Sequence, residues 1–191
     1  MLNKFFSIIL SIFIVTISLL AADDAAIIHG KRFFFSIEMP NGWIFNKQIC
    51  KQYGLPHFIQ PNNRINEIQT YIYANGFDRP EGSNLTINDF IKDEQKGFLN
   101  KAPNVKINKV NIVFSNIQKT ALLSGDYYIY ELTGFSNKYK EIIIYIDAVE
   151  TVCTIVFSSK TKDDYDKFYP NFVSIVKSFR FLGRNVHTNI K

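Results

Sequence analysis

Cysteine, histidine and the carboxylates are where this sequence offers chemistry, and they are sparse. Cys50 and His57 stand seven residues apart. A thiolate and an imidazole work together only within hydrogen-bond reach, with a third group orienting the base. That spacing gives no mechanical reason for contact, and nothing nearby in the sequence marks an orienting group. His29, His57 and His187 are scattered and begin neither an H-E-x-x-H nor a Cys-x-x-Cys pattern, so no metal ligand set is assigned. His29 and His187 fall in segments read as flexible ends, and His57 reads as a partly exposed loop side chain. Asp163, Asp164 and Asp166 lack the glycine and the closing glutamate of a calcium loop. They read instead as charge complementing a helix N-terminus. Asp147 and Glu150 are a carboxylate pair beside a turn, where solvated charge is the default. Ser124-Gly125-Asp126 lacks the strand-to-helix setting of a nucleophile elbow. There is no G-x-x-x-x-G-K phosphate cradle. Asn84-Leu85-Thr86 matches a glycosylation tripeptide, but Thr86 has a competing role as a helix cap. No catalytic, cofactor-binding or metal residue is assigned on these grounds, and no cofactor is expected.

The elements around these residues read as one α+β domain. Phe33, Phe35 and Ile37 alternate with Phe34, Ser36 and Glu38, the period of a strand with one buried face. Pro40 removes a ladder donor and Asn41-Gly42 favours a turn, so Met39–Trp43 ends that strand. Asn46–Asn66 reads as irregular, apart from a short strand at Phe58 and Ile59. Glu67–Ala74 alternates again, with Gln69, Tyr71 and Tyr73 on one face. Asn75–Asn84 reads as an exposed loop. Thr86 and Asp89 are spaced as a capping box before a helix whose apolar stripe is Ile87, Phe90, Ile91 and Phe98. Strands are predicted over Val105–Asn116, Asp126–Phe135, Tyr139–Val149 and Val152–Ser158. The last three are joined by turns short enough for an antiparallel meander. Tyr165, Phe168, Phe172, Ile175, Val176 and Phe179 form a helical stripe. Pro170 interrupts it at a cost of roughly 3 kcal/mol, which predicts a kink or restart near Tyr169. Arg180-Phe181 reads as a last short strand.

The start of the chain addresses compartment. Lys4 precedes an apolar run from Phe5 to Leu20, followed by the small residues Ala21 and Ala22 and then Asp23-Asp24. That is the pattern of a secretory signal peptide cleaved near Ala22. The run is short for a spanning helix, and no Lys/Arg cluster follows it as a stop-transfer flank. The expected organisation is a signal peptide over 1–22, one domain over 23–183 and a flexible tail over 184–191. The expected location is periplasmic or extracellular, with membrane contact only during export. The net charge of +5 over 191 residues is mildly basic and spread along the chain. Neither a basic stripe nor a nucleic-acid motif accompanies it, which argues against nucleic acid as a partner.

Two cysteines in an exported chain permit a disulfide between Cys50 and Cys153. A buried free thiol at Cys153, within an apolar strand, is the alternative. The 18 Phe and 10 Tyr against one Trp suit a core with a wet aromatic edge. Tyr71, Tyr73, Tyr128, Tyr130 and His57 are the candidate binding surface.

Phe35-Ser36-Ile37-Glu38-Met39-Pro40-Asn41-Gly42-Trp43 resembles the F-x-hydrophobic-x-x-P-x-x-W opening of PsbP-like domains. The segment Thr154–Ser159, followed by Tyr165, Phe168, Phe172, Ile175, Val176 and Ser178-Phe179, resembles their closing half. The resemblance spans most of residues 33–182. It implies an antiparallel sheet with helices packed on both faces, an α/β/α sandwich. The matched positions are structural, so no functional residue is carried over. Three readings follow. The leading one is an exported, non-enzymatic accessory module that binds an envelope or extracellular protein. The alternatives are a small-molecule or lipid binder with an apolar pocket between sheet and helices, and a hydrolase with an unrecognised Cys/His site.

Overall fold

The computed structural model describes residues 25–54, 57–64 and 68–183. The expected signal peptide and the expected tail over 184–191 lie outside them. Two antiparallel sheets form. β1 (Ala25–His29) and β10 (Arg180–Gly183) flank β2 (Phe34–Glu38) in a three-stranded sheet. The larger sheet has the order β3-β4-β5-β9-β8-β7-β6. Its strands are β3 (Trp43–Phe45), β4 (Phe58–Pro61), β5 (Thr70–Asp78), β6 (Lys106–Val110), β7 (Tyr127–Thr133), β8 (Lys140–Ala148) and β9 (Thr151–Ser159). Among the described residues three α-helices accompany them: α1 (Lys47–Tyr53), α2 (Ile87–Lys101) and α3 (Lys162–Ser178).

The sheet is covered by helices on both faces, as expected of the fold. β9 lies at its centre and is buried along its whole length. On one face, α3 and the small sheet close the main core, where Phe35, Ile37, Ile72, Ile144, Ile155, Phe157 and Phe172 are fully buried. On the other, α2 covers a smaller cluster of Ile87, Ile91, Ile143, Tyr145, Val152 and Val156. Trp43, after the Pro40 turn, plugs one end of the main core, its ring edge-on to Phe168 at 5.5 Å.

Several local expectations yield to tertiary packing. α3 runs unbroken through Pro170, which is exposed and costs its missing hydrogen bond on the solvent side. Burying a large apolar side chain contributes about 1.5–3 kcal/mol. Tyr165, Phe168, Phe172, Ile175 and Val176 are all buried, so the stripe outweighs the proline. The first part of the stretch read as irregular is helical, because Asn46 caps α1 by accepting the Ile49 N–H at 3.0 Å and left-handed Gly54 ends it. His29 is not in a flexible end but on β1, paired with Phe34. β5 continues through Asn75 to Asp78, because β9 offers partners over all nine residues. β6 stops at Val110. Beyond it the chain turns inward, burying Phe114, Ile117 and Leu123, and Asn116 donates to the Val176 carbonyl at 2.9 Å. The capping box of α2 forms as read, with Thr86 and Asp89 each receiving the other's backbone N–H.

Candidate functional site

Antiparallel register decides which side chains share the α2 face. Tyr73 stands opposite Val156, Val156 opposite Ile143, and Ile143 opposite Tyr130. Tyr128 is aligned with Tyr145, and Tyr71 with Ser158. Alternation along each strand then puts Tyr71, Tyr73, Tyr128 and Tyr130 on one side of the sheet. All four are half-buried. Tyr128 and Tyr130 stand beside edge strand β6, where the Lys109 ammonium lies 4.7 Å from the Tyr128 ring centre.

Polar groups thread the same face. The Glu94 carboxylate on α2 takes a hydrogen bond from Tyr145, yet burial holds its pKa above the ordinary glutamate range, with Glu141 adding to the effect. Its Oε2 is buried without a partner. Burial, then Glu141 and Glu94, push the Tyr73 hydroxyl well above the usual tyrosine range. Glu141 is buried and paired with Lys138 at 2.6 Å.

At the end of this face nearest the β7–β8 turn lies a cleft of about 260 Å³. Its apolar wall is Ile49, Phe58, Ile68 and Tyr71, with the Phe58 and Tyr71 rings stacked 4.8 Å apart. Its polar side is Asn137, Lys138, Ser158 and Lys160. Sequence reading picked out Tyr71 here but not Ser158, Lys138 or Lys160. The available signal was Ser158-Ser159, a polar pair closing a strand that is otherwise apolar at Val152, Ile155, Val156 and Phe157.

His57 is separated from the tyrosines. It precedes Phe58, whose ring joins the tyrosine face, so its own side chain projects the other way, with ring centres 6.2 Å from Phe45 and from His29. Burial, then the His29 charge, hold His57 below the usual histidine range, and its Nδ1 is buried without a partner. Cys50 and His57 do line one cleft, of about 470 Å³, together with Phe45, Lys47 and Lys51. No carboxylate lines that cleft among the described residues, and Cys50 Sγ accepts the Phe58 N–H at 3.3 Å.

The allowed Cys50–Cys153 disulfide does not form, and both thiols are free. Cys153 sits fully buried on the α3 face of β9, between Gly76 of β5 and Ile146 of β8, with its pKa pushed far up by burial. Cys50 belongs to α1, outside the sheet. Four of the acidic residues find ion-pair partners, two of them largely screened from solvent (Asp147 and Asp164) and two more exposed (Glu150 and Asp166). Asp147 pairs with Arg79 at 2.7 Å and Glu150 with Arg32 at 2.9 Å. Asp164 pairs with Arg64, and Asp166 with Lys162 at 2.5 Å, in the first turns of α3. Among the described residues no three His, Cys, Asp or Glu side chains are grouped as metal ligands, and no helix is long and apolar enough to cross a membrane.

An α+β sandwich with this arrangement is PsbP-like in fold. The chain is similar to the solution structure of the cyanobacterial PsbP (CyanoP) of Synechocystis sp. PCC 6803, with a TM-score of 0.51 at 15% identity. The match covers 78% of this chain and 86% of that one. It is also similar to the Ran-binding protein Mog1p of Saccharomyces cerevisiae, with a TM-score of 0.49 at 10% identity, covering 83% of this chain and 96% of that one. No family profile and no curated protein matches the sequence.

Proposed function

We propose that the protein is an exported, non-enzymatic accessory module that binds a protein partner in the cell envelope or outside the cell. The observation that carries this reading is the ridge of Tyr128 and Tyr130 beside edge strand β6. Both rings are half-exposed, and Lys109 lies on one of them. Tyrosine is enriched at protein interfaces, where a rigid ring gives contact area at low entropy cost. The PsbP-like fold supports the reading because cyanobacterial PsbP shares it. The N-terminal pattern of Lys4, the apolar run and Ala21-Ala22 supports export.

The test is site-specific photo-crosslinking in living cells, with a photoreactive phenylalanine in place of Tyr130 or, as control, of exposed Ile27 on the small sheet. A discrete adduct from position 130 that position 27 does not give supports the reading. Identical adduct patterns from both positions, or none from 130, overturn it.

A further inference from the structure

The cleft beside the β7–β8 turn combines features that the protein-partner reading does not use. Ser158 is 1% exposed, and its Oγ has no hydrogen-bond partner. Buried hydroxyls nearly always find one. Its neighbour Ser159 does, bonding Thr70 at 3.0 Å and the Thr161 carbonyl at 3.1 Å. Ser158 lies among the residues lining the cleft, so a molecule that enters comes up against the one serine of the pair whose donor is unused. Opposite stand the stacked rings of Phe58 and Tyr71, a wall suited to a flat apolar group.

Charge selects the rest of the ligand. Lys138 is committed to Glu141 at 2.6 Å and also lies 4.3 Å from the Phe135 ring centre. Lys160 has no ion-pair partner among the described residues. The lining therefore carries one uncompensated positive charge, with the Asn137 amide beside it as a further donor. A volume of about 260 Å³ lies just under the range of about 300–1,000 Å³ common for ligand sites, which suits a single ring.

We propose that this cleft binds a small aryl carboxylate, with its ring on Phe58 and Tyr71 and its carboxylate on Ser158, Asn137 and Lys160. The proposal is independent of export and of any protein partner.

Phenylacetate is the probe, with benzylamine as the cationic analogue, and binding is followed by amide chemical-shift titration and calorimetry on the purified protein. Phenylacetate is expected to shift the amides of Tyr71, Asn137, Ser158 and Lys160, and benzylamine none of them. Lys160→Glu, at an exposed position that leaves packing intact, is expected to weaken binding by at least about tenfold, the worth of one charge-assisted hydrogen bond. Ser158→Ala separates a ligand role from a structural one. It removes an orphaned hydroxyl, so the free protein melts no lower, while phenylacetate binding weakens. No shifts with phenylacetate at millimolar concentration overturn the proposal. So does equal response to benzylamine, or unchanged affinity in Lys160→Glu.

Discussion

Phe33 and Gly76 offer the sharpest test of how the two sheets are locked together. Phe33 precedes β2 and is 3% exposed, and its ring lies flat across the β5 backbone at Gly76. A Cβ at position 76 would stand 2.6 Å from two ring carbons, against the roughly 3.5–4.0 Å of ordinary carbon contact. The ring has little room to retreat, since Gly30 closes on its other edge, with an ideal Cβ there only 2.1 Å away. Gly76→Ala therefore overpacks the core, at a cost of about 1–3 kcal/mol. Alanine's lower entropy cost in a strand recovers about 0.5–1 kcal/mol of that. The net expectation is a loss centred on about 1 kcal/mol, at roughly 2–4 °C in Tm per kcal/mol for a chain of this size. In a Phe33→Leu background the clash is gone and the same substitution becomes neutral or stabilising. Urea and thermal unfolding followed by circular dichroism, run as a double-mutant cycle, measure the coupling. Gly97→Ala on α2, where an added Cβ meets nothing within 4 Å, is the control and stabilises by about 0.5–1 kcal/mol. A Gly76→Ala variant as stable as the parent, or costs that simply add with Phe33→Leu, would refute the lock.

Val149, at the β8–β9 turn, has φ of 46° and is 44% exposed, so Val149→Gly relieves a left-handed β-branched residue without emptying the core. It stabilises by about 1 kcal/mol in urea titrations. Glu94 has its pKa raised in the folded state, so its contribution is most favourable below the ordinary glutamate range and is lost as pH climbs through the raised value. Glu94→Gln then leaves stability nearly unchanged near pH 4 and increases it at pH 7 and above, and Tm measured against pH decides the sign. If export follows the N-terminal pattern, protein purified from the envelope or medium of its own cells begins at Asp23 by N-terminal sequencing. A chain retaining Met1–Ala22 in that fraction contradicts cleavage.

Elements with a strong period of their own were legible in the sequence, and those depending on a distant partner were not. The alternation of Phe33, Phe35 and Ile37 and the stripe from Tyr165 to Val176 each bury one face whatever lies opposite, so local pattern and tertiary outcome agree. The Thr86–Asp89 capping box is a contact between residues three apart and needs nothing else. β1 failed this test. Ala25–His29 is too short and mixed to declare itself, and it is a strand only because β2 offers its free edge. The 75–78 stretch, rich in glycine and asparagine, reads as loop for the same reason and is held extended by nine rungs to β9. Pro170 erred in the other direction, since a local penalty was overruled by five buried side chains along the same helix.

The cleft shows why the site was harder to read than the fold. Tyr71, Ser158 and Glu141 lie far apart in sequence and share one rung of the sheet, because β5 pairs with β9 and β9 with β8 in a fixed register. Lys138 joins them only because the β7–β8 turn falls where it can reach Glu141. A shift of one residue in either pairing would exchange the two faces, taking the Ser158 hydroxyl to the α3 side and bringing Ser159 in its place. In the native register Ser159 faces α3 and spends its hydroxyl on Thr70 and Thr161, so Ser158 is the serine of the pair that faces the Phe58–Tyr71 stack. The chemistry offered by the cleft is thus a property of register. Register is set by the β8–β9 turn and by which residues the core buries, and none of those residues is itself a functional group.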